Sequence, residues 1–240
     1  MAGHAGKAGA NPQEESAGAE RRSRQDRLVL AALAHVPFDG WSDLALERAA
    51  RDCGLPPDAP GYLFPRGVID AVDHFASLAD RLMIEDMQGV PDEEKSRVQD
   101  KLHRAIRIRL ERWSSFREAV RRGLLLYALP SNVPRAVAAT ARTADAVWRA
   151  AGDSSHDFNW YTKRASISGI YTATLLYWLD DPSDGCEKTW DFLHRSLDAM
   201  GRAIKARASL QKRCSAIMPD FPSFLSSFGY QAARRGSRRM

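Results

Sequence analysis

Three helix signals in residues 41–90 follow one another in an order that restricts the possible folds more than any other part of the chain. Ser42 is typical of the residue that starts a helix, and Gly54 is typical of the residue that ends one. A short segment, 55–63, comes next, and an aromatic–proline step leads into a long helix over 66–87 with apolar residues at helical spacing. A medium, a very short and a long helix in this order predict a helix-turn-helix head.

This layout resembles the head of tetracycline-type repressors, but its chemistry is wrong for DNA. In such repressors the short second helix enters the major groove, and lysines and arginines beside it neutralise phosphates. Here the segment 55–63 reads LPPDAPGYL, which contains no Lys, Arg, Asn or Gln, and its prolines and glycine disfavour a helix. Residues 41–90 contain four arginines, no lysine and nine carboxylates, which gives a net charge of −5. We therefore predict a vestigial helix-turn-helix that binds no nucleic acid.

The rest of the chain predicts an all-α protein, because no segment alternates with period two for long enough to form a strand. Further helices are predicted over 22–36, which Pro37 ends, and over 93–122, 134–151, 157–179 and 184–208. We expect a disordered tail (1–21), a repressor-like helical domain (22–208, with the head over 22–90 and a ligand-binding bundle over 91–208) and a basic amphipathic C-terminal segment (209–240).

Charge and cysteine usage restrict the cellular setting. Positive charge is concentrated in 91–149 (+6) and 209–240 (+5), away from the head, which favours an anionic membrane surface or an acidic partner over a duplex. The three cysteines are odd in number and far apart, which is typical of reduced thiols in the cytosol. No apolar run is long enough to cross a bilayer, and the N-terminus lacks the pattern of a targeting peptide. These features predict a cytoplasmic protein that is at most peripheral to a membrane.

Four segments carry a resemblance to a known family. They read LAHVPFDGWSDLAL (33–46), GYLFPRGVIDAVDHFASLADRLM (61–83), LPSNVPRAVA (129–138) and AGDSSHDFNWYTKRASISGIYTATLLYW (151–178). Together they resemble the accessory proteins of ubiquinone (coenzyme Q) biosynthesis, over about residues 25–208. The resemblance implies a tetracycline-repressor-like fold that binds lipid instead of DNA.

The same resemblance implies a function. The chain would be a non-enzymatic factor that binds polyprenyl quinone intermediates and presents them to the di-iron demethoxyubiquinone hydroxylase at the membrane. No cofactor is implied, only a bound isoprenoid quinone or other lipid. Mitochondrial members of the family carry a targeting peptide, and the N-terminal sequence here lacks that pattern. We therefore expect a bacterial protein that is peripheral to the inner membrane. A homodimer is also expected, because repressors of this fold pair through their last two core helices. The alternative is a repressor that senses a hydrophobic ligand.

A partner-binding patch follows from the resemblance, around a turn bracketed by two prolines. Such a turn shows apolar groups at little entropic cost, and a nearby tryptophan is a typical hot spot of an interface. The alternative is a plain turn between helices with a tryptophan in the core. The implied residues are Leu129, Pro130, Asn132, Val133, Pro134, Trp148 and Arg149.

A lipid-binding site is expected between the central helices of the bundle, where repressors of this fold hold their ligands. Such pockets are mostly apolar with a few polar groups. The alternative is that the same residues are ordinary core. The predicted wall residues are Leu124, Leu125, Trp160, Ile170, Thr174, Tyr177 and Trp178.

A membrane contact is predicted in the C-terminal segment, where aromatic and apolar side chains lie close to lysines and arginines, as in interfacial anchors. The alternative is a tail that folds back onto the domain. The predicted contacts are Phe221, Phe224, Leu225 and Phe228.

Catalytic and metal sites are not predicted. Asp70, Asp73 and His74 share a helix face, but a di-metal site needs further carboxylates at Glu-x-x-His spacing, which the sequence lacks. We interpret this face as solvated. The sequence also contains no Gly-rich phosphate loop and no GxSxG motif.

Overall fold

The computed structural model describes residues 12–90, 97–152 and 159–217. Within these ranges the chain forms α-helices and three short 3₁₀ helices, without a β-strand. The helices are α1 (Pro12–Asp39), α2 (Asp43–Asp52), α3 (Ala59–Leu63), α4 (Val68–Gln88), α5 (Val98–Glu111), α6 (Arg117–Tyr127), α7 (Val133–Ala150), α8 (Asn159–Asp180) and α9 (Glu187–Ile217). The predicted all-α class is confirmed.

Helix α1 is longer at both ends than the sequence predicted. It begins at Pro12, inside the predicted tail 1–21. Proline suits the first helical turn, and the carboxylates of Glu14 and Glu15 lie near the positive end of the helix dipole. The predicted end at Pro37 is wrong, since α1 continues to Asp39. A proline this close to the C-terminus removes one hydrogen bond from a turn that ends two residues later.

The head has the predicted layout. The Ser42 hydroxyl accepts a hydrogen bond from the backbone N–H of Ala45 (3.2 Å), and Gly54 follows α2 with a φ of +66°, a conformation that glycine adopts without strain. Helix α3 has only five residues, and α1 holds its C-terminal end: Gln25 Nε2 donates to the carbonyl of Leu63 (2.8 Å). The second helix of the head is therefore a single turn, in which Ala59, Pro60 and Leu63 are buried and Gly61 and Tyr62 are exposed.

The predicted helix over 93–122 is wrong, because the chain forms two helices joined by a 3₁₀ turn at Ser114–Phe116. The Ser114 hydroxyl donates to the carbonyl of Glu111 (2.6 Å), which competes with continuation of α5. Trp113 is buried and packs edge-on against Phe75 of α4, with ring centroids 4.8 Å apart. Packing between helices thus ends α5 at a position where the apolar periodicity continues.

Helices α4 to α8 form the bundle. Helix α4 packs against α1, α5 and α7, and α7 packs against α8. Large side chains that are fully buried fill this part of the core, among them Met83, Ile106, Leu110, Ile167 and Trp178. The indole N–H of Trp41 donates to the carbonyl of Ala119 (2.9 Å), so a side chain from the head also contacts α6.

Asp181 organises the junction between α8 and α9. Its buried carboxylate accepts hydrogen bonds from the N–H and hydroxyl of Ser183 (2.9 and 2.6 Å) and of Thr189 (2.8 and 2.6 Å). Burial opposes ionisation, but these four bonds outweigh it and hold the pKa of Asp181 well below its usual range. The carboxylate fixes where α9 begins.

The chain divides into two units, residues 1–194 and 195–240. Helix α9 begins in the first unit and runs past the predicted end at 208 to Ile217, inside the predicted C-terminal segment 209–240. In the part of the chain that the structure describes, no helix is both long and apolar enough to span a bilayer.

Candidate ligand cavity

An apolar cavity of about 310 Å³ lies inside the bundle, with walls from α4 to α8 and the α5–α6 turn. A pocket of this size is at the lower end of the range that small-molecule sites occupy. Its large apolar lining residues are Val72, Phe75, Leu110, Trp113, Val120, Leu124, Leu175, Leu176 and Trp178.

Small residues on facing helices create the space. Ala136 and Ala139 of α7 and Gly123 of α6 line the cavity, and none of them carries a side chain that could fill it. A Cβ atom at Gly123 would be in van der Waals contact with Cγ1 of Val72, at 3.4 Å. The cavity therefore follows from the pattern of small and large residues across the bundle.

The cavity opens to solvent between the end of α6 and the middle of α8. Three of its lining residues are exposed: Ala128 next to α6, and Thr172 and Leu176 on α8. Leu176 keeps 54% of its surface exposed, which is unusual for a leucine that faces a core. Two of the three exposed rim residues, Ala128 and Leu176, are therefore apolar.

A buried polar cluster forms one part of the cavity wall. Arg109 Nε donates to Asp80 Oδ1 (2.8 Å), and one Arg109 terminal nitrogen donates to the Tyr171 hydroxyl (2.5 Å). The Thr143 hydroxyl donates to Asp80 Oδ1 (2.9 Å). Arg109 also lies over the Tyr171 ring, 5.0 Å from its centroid. These contacts hold the guanidinium rigidly between α4, α5, α7 and α8.

Protonation of this cluster follows from its surroundings. Burial raises the pKa of the Tyr171 hydroxyl, so it keeps its proton at neutral pH. Burial works to lower the pKa of Arg109, but Tyr171 and Asp80 outweigh it and raise the pKa. Arg109 is therefore a fixed cation, and Tyr171 is a neutral donor.

A second polar group borders the cavity at Tyr127. Its hydroxyl donates to Asp73 Oδ1 (2.6 Å), and Arg135 pairs with both Asp70 Oδ1 (2.6 Å) and Asp73 Oδ2 (3.1 Å). Burial and the bond to Asp73 raise the pKa of Tyr127. His74, on the same face of α4, bonds Asp26 Oδ1 (2.6 Å).

The predicted solvated face of Asp70, Asp73 and His74 is therefore wrong, because all three side chains are mostly buried in ion pairs and hydrogen bonds. The sequence could not show this, since their partners come from α1, α6 and α7. Among the described residues, no group of three or more His, Cys, Asp and Glu side chains could hold a metal ion.

The predicted wall residues separate into two groups. Leu124 and Trp178 line the cavity. Leu125, Ile170, Thr174 and Tyr177 do not: Leu125 is 65% exposed, the Thr174 hydroxyl bonds the carbonyl of Ile170 (2.7 Å), and Tyr177 stacks on Phe192. The side chain of Trp160 lies outside the described residues.

The wall residues that the sequence did not single out come from all five helices α4 to α8, and α4, α5 and α7 carry none of the predicted wall residues. Val72 and Phe75 belong to an apolar stripe of the long helix after the head, which the periodicity does contain. Arg109 stands in a row of arginines, and nothing local distinguishes it from its neighbours. Only its tertiary partners do so.

The predicted partner patch lies at both ends of α7. At the N-terminal end, Leu129 and Val133 are 48% and 46% exposed, and Pro130 and Pro134 are also exposed. The side-chain amide of Asn132 donates to the carbonyl of Leu126 (2.9 Å), which stabilises the turn.

The other two patch residues lie at the C-terminal end of α7, about 22 Å from Val133 at 1.5 Å per residue. Trp148 is buried, with the Lys163 ammonium 5.3 Å from its ring centroid. Arg149 is exposed and pairs with Asp145 (3.0 Å). The structure thus exposes the turn and Arg149, while Trp148 belongs to the core. The predicted membrane contacts Phe221, Phe224, Leu225 and Phe228 lie outside the described residues.

Comparison with known proteins places these features in context. A model of the COQ9 family matches residues 133–203. The chain is 32% identical to a mitochondrial ubiquinone biosynthesis protein COQ9 from Drosophila melanogaster, over 82% of this chain and 61% of the relative. It is 32% identical to the Homo sapiens COQ9 protein, over 81% and 63%. The chain thus spans about three fifths of the length of these relatives.

A solved structure gives the fold. The TetR transcriptional regulator from Nitrosomonas europaea ATCC 19718 aligns with a TM-score of 0.57 and 21% identity, over 73% of this chain and 96% of the regulator. At this identity the likeness shows the fold alone. The predicted tetracycline-repressor-like fold is confirmed.

Proposed function

Because the chain belongs to the COQ9 family, we propose that it acts in ubiquinone biosynthesis as a non-enzymatic factor that binds an isoprenoid quinone intermediate. The observation that carries this proposal is the apolar cavity inside a repressor-like bundle. The relatives are ubiquinone biosynthesis proteins, and precursors of ubiquinone that carry a polyprenyl tail are lipids. A carrier of such molecules needs an apolar space for at least part of the lipid.

The physical argument for a ligand is the cost of an unfilled apolar space. Aromatic and aliphatic side chains around an empty cavity lose the dispersion contacts that they would make in a packed core. The volume of about 310 Å³ accommodates a substituted ring or a short stretch of isoprenoid chain, so a longer tail would extend through the rim at Leu176. A bound lipid would restore the missing contacts.

The competing proposal is a repressor that senses a hydrophobic ligand. The fold supports it, but the head lacks the side chains with which such repressors read DNA. Helix α3 is five residues long, APGYL, and offers neither an amide nor a cation to a base edge. Arg21, one of the arginines beside it, donates to the carbonyl of Tyr62 (3.2 Å). Lipid carriage therefore explains both the cavity and the head.

We further propose that the exposed turn with Leu129 and Val133 contacts the demethoxyubiquinone hydroxylase, and that the basic segment 209–240 attaches the protein to a membrane surface. Exposed apolar groups on a turn held by two prolines bind a partner at low entropic cost. In a bacterial cell the surface would be that of the inner membrane. The homodimer stays a prediction.

Native mass spectrometry of the full chain, purified from a host that makes ubiquinone, tests lipid binding. We expect the wild-type protein to retain an isoprenoid quinone or a precursor of one, identified after extraction. Ala136→Phe fills the cavity and should release this molecule, whereas Ala138→Phe, an exposed position on the same helix outside the cavity, should retain it. A wild-type protein that carries no lipid and binds no added quinone would contradict the proposal.

A further inference from the structure

The polar cluster in the cavity wall offers hydrogen-bond donors that the protein itself leaves unused. Arg109 has five N–H donors. Four of them are engaged, by Asp80, Tyr171, the carbonyl of Ala76 (3.3 Å) and the hydroxyl of Thr143 (3.4 Å). One N–H on the terminal nitrogen that contacts Tyr171 therefore has no acceptor among the described residues.

Tyr171 supplies a second unused donor. Its hydroxyl oxygen accepts from Arg109, but its own O–H donates to no acceptor in the part of the chain that the structure describes. The acceptors of the cluster are engaged instead, because both oxygens of Asp80 already receive hydrogen bonds from Thr143 or Arg109. Arg109 and Tyr171 both line the cavity and are only 6% and 5% exposed.

We infer that an oxygen acceptor of the ligand binds between Arg109 and Tyr171, so that the ring carbonyl of a quinone enters the cavity and its apolar tail leads to the rim at Leu176. This inference rests on the proposed function and states which end of the ligand the cavity holds. A carbonyl oxygen has two lone pairs, which match the two unused donors. The surrounding aromatic residues Phe75 and Trp113 provide flat surfaces for a ring.

The opposite orientation is disfavoured. A hydrocarbon end at this position would leave two buried donors without an acceptor and would exclude the water that could otherwise satisfy them. Two further buried donors of the wall, Nε1 of Trp113 and Nε1 of Trp178, also have no hydrogen-bond partner, whereas the Tyr127 hydroxyl already donates to Asp73. The unused donors of the described wall therefore favour the oxygen-bearing end of a ligand over its hydrocarbon end.

Two matched probes test the inference on the full chain: a decyl-substituted dimethoxybenzoquinone and decylbenzene, which has the same tail without oxygens. Trp113 and Trp178 line the cavity, so quinone binding should quench their fluorescence, and decylbenzene should be measured by displacement of the quinone. We expect the wild-type protein to bind the quinone at least tenfold more tightly than decylbenzene.

Tyr171→Phe removes the donor and keeps the ring. We expect it to weaken quinone binding roughly 5- to 10-fold, the range of one lost hydrogen bond, and to leave decylbenzene binding unchanged. Tyr177→Phe makes the same change outside the cavity and should alter neither affinity. Thermal unfolding establishes that Tyr171→Phe is folded; if it is not, the comparison of the two probes on the wild-type protein decides.

The outcomes separate the inference from the function on which it rests. Equal binding of both probes by the wild-type protein, or unchanged quinone affinity in folded Tyr171→Phe, would overturn the orientation while lipid binding stands. Binding of neither probe would overturn the orientation and the proposed function together.

Discussion

The buried pair between Arg109 and Asp80 gives the strongest stability prediction. Their side chains are 7% and 9% exposed, and the Nε–Oδ1 distance is 2.8 Å. Arg109→Met keeps most of the volume of the side chain but leaves the Asp80 carboxylate with Thr143 as its one remaining donor among the described residues. Breaking a buried pair in this way costs about 3–5 kcal/mol, because a buried charge stays uncompensated.

That cost is large against the total stability of a folded domain, about 5–15 kcal/mol. Replacing both partners, Arg109→Met with Asp80→Leu, removes the uncompensated charge and should recover at least half of the loss. Arg112→Met is the matched control: Arg112 pairs with Asp86 at 2.6 Å, but those side chains are 39% and 36% exposed. Loss of this exposed ion pair should lower the free energy of unfolding by less than about 1 kcal/mol.

Equilibrium unfolding of the full chain in urea measures these differences, with the slope of the transition checking that each variant unfolds in the same manner. A single variant Arg109→Met within about 1 kcal/mol of the wild-type protein would refute the argument from burial. A double variant that is less stable than the single one would also refute it, because the uncompensated charge of Asp80 would then not be the cause of the lost stability.

Three further predictions concern the junction, the turn and the head. Asp181→Asn should cost about 2 kcal/mol at pH 7, because it loses charge-assisted bonds from Ser183 and Thr189. Since folding lowers the pKa of Asp181, its contribution is present above the unfolded value of about 3.9 and is lost as the pH falls through the folded value, so the deficit measured by urea unfolding should shrink below pH 4. Leu129→Asp should abolish co-purification with the hydroxylase without destabilising the fold, whereas Leu44→Asp, equally exposed at 48%, should leave it intact. In gel-shift assays at low salt the full chain should bind operator-like and random duplexes equally weakly, and sequence-selective binding would contradict the vestigial head.

Local sequence information was sufficient for the head and for the helix class. Ser42, Gly54 and the proline-rich segment 55–63 act through their own backbone preferences, so their effect could be predicted without knowing any partner. The absence of cations from that segment is also a property of the sequence alone. The repressor-like layout and its loss of DNA chemistry therefore required no tertiary structure.

The cavity could be predicted only in outline. Helix α8 is apolar on most sides, so its periodicity does not indicate which face meets α5 and α7. The packed structure turns Tyr171, Leu175 and Trp178 towards the cavity, and leaves Thr174 to bond its own helix. The wall prediction, made by region from the repressor fold, therefore named residues on several faces of α8, of which the structure turns Trp178 towards the cavity.

The sequence by itself determined an all-α chain with a head whose segment 55–63 contains no Lys, Arg, Asn or Gln, because helix signals and charge are carried by neighbouring residues. Only the tertiary structure decided that Arg109, one arginine in a row of many, is buried in a cavity wall. Its partners Asp80 and Tyr171 lie 29 and 62 positions away along the chain. Contacts over such separations depend on how helices pack, and no local pattern encodes them.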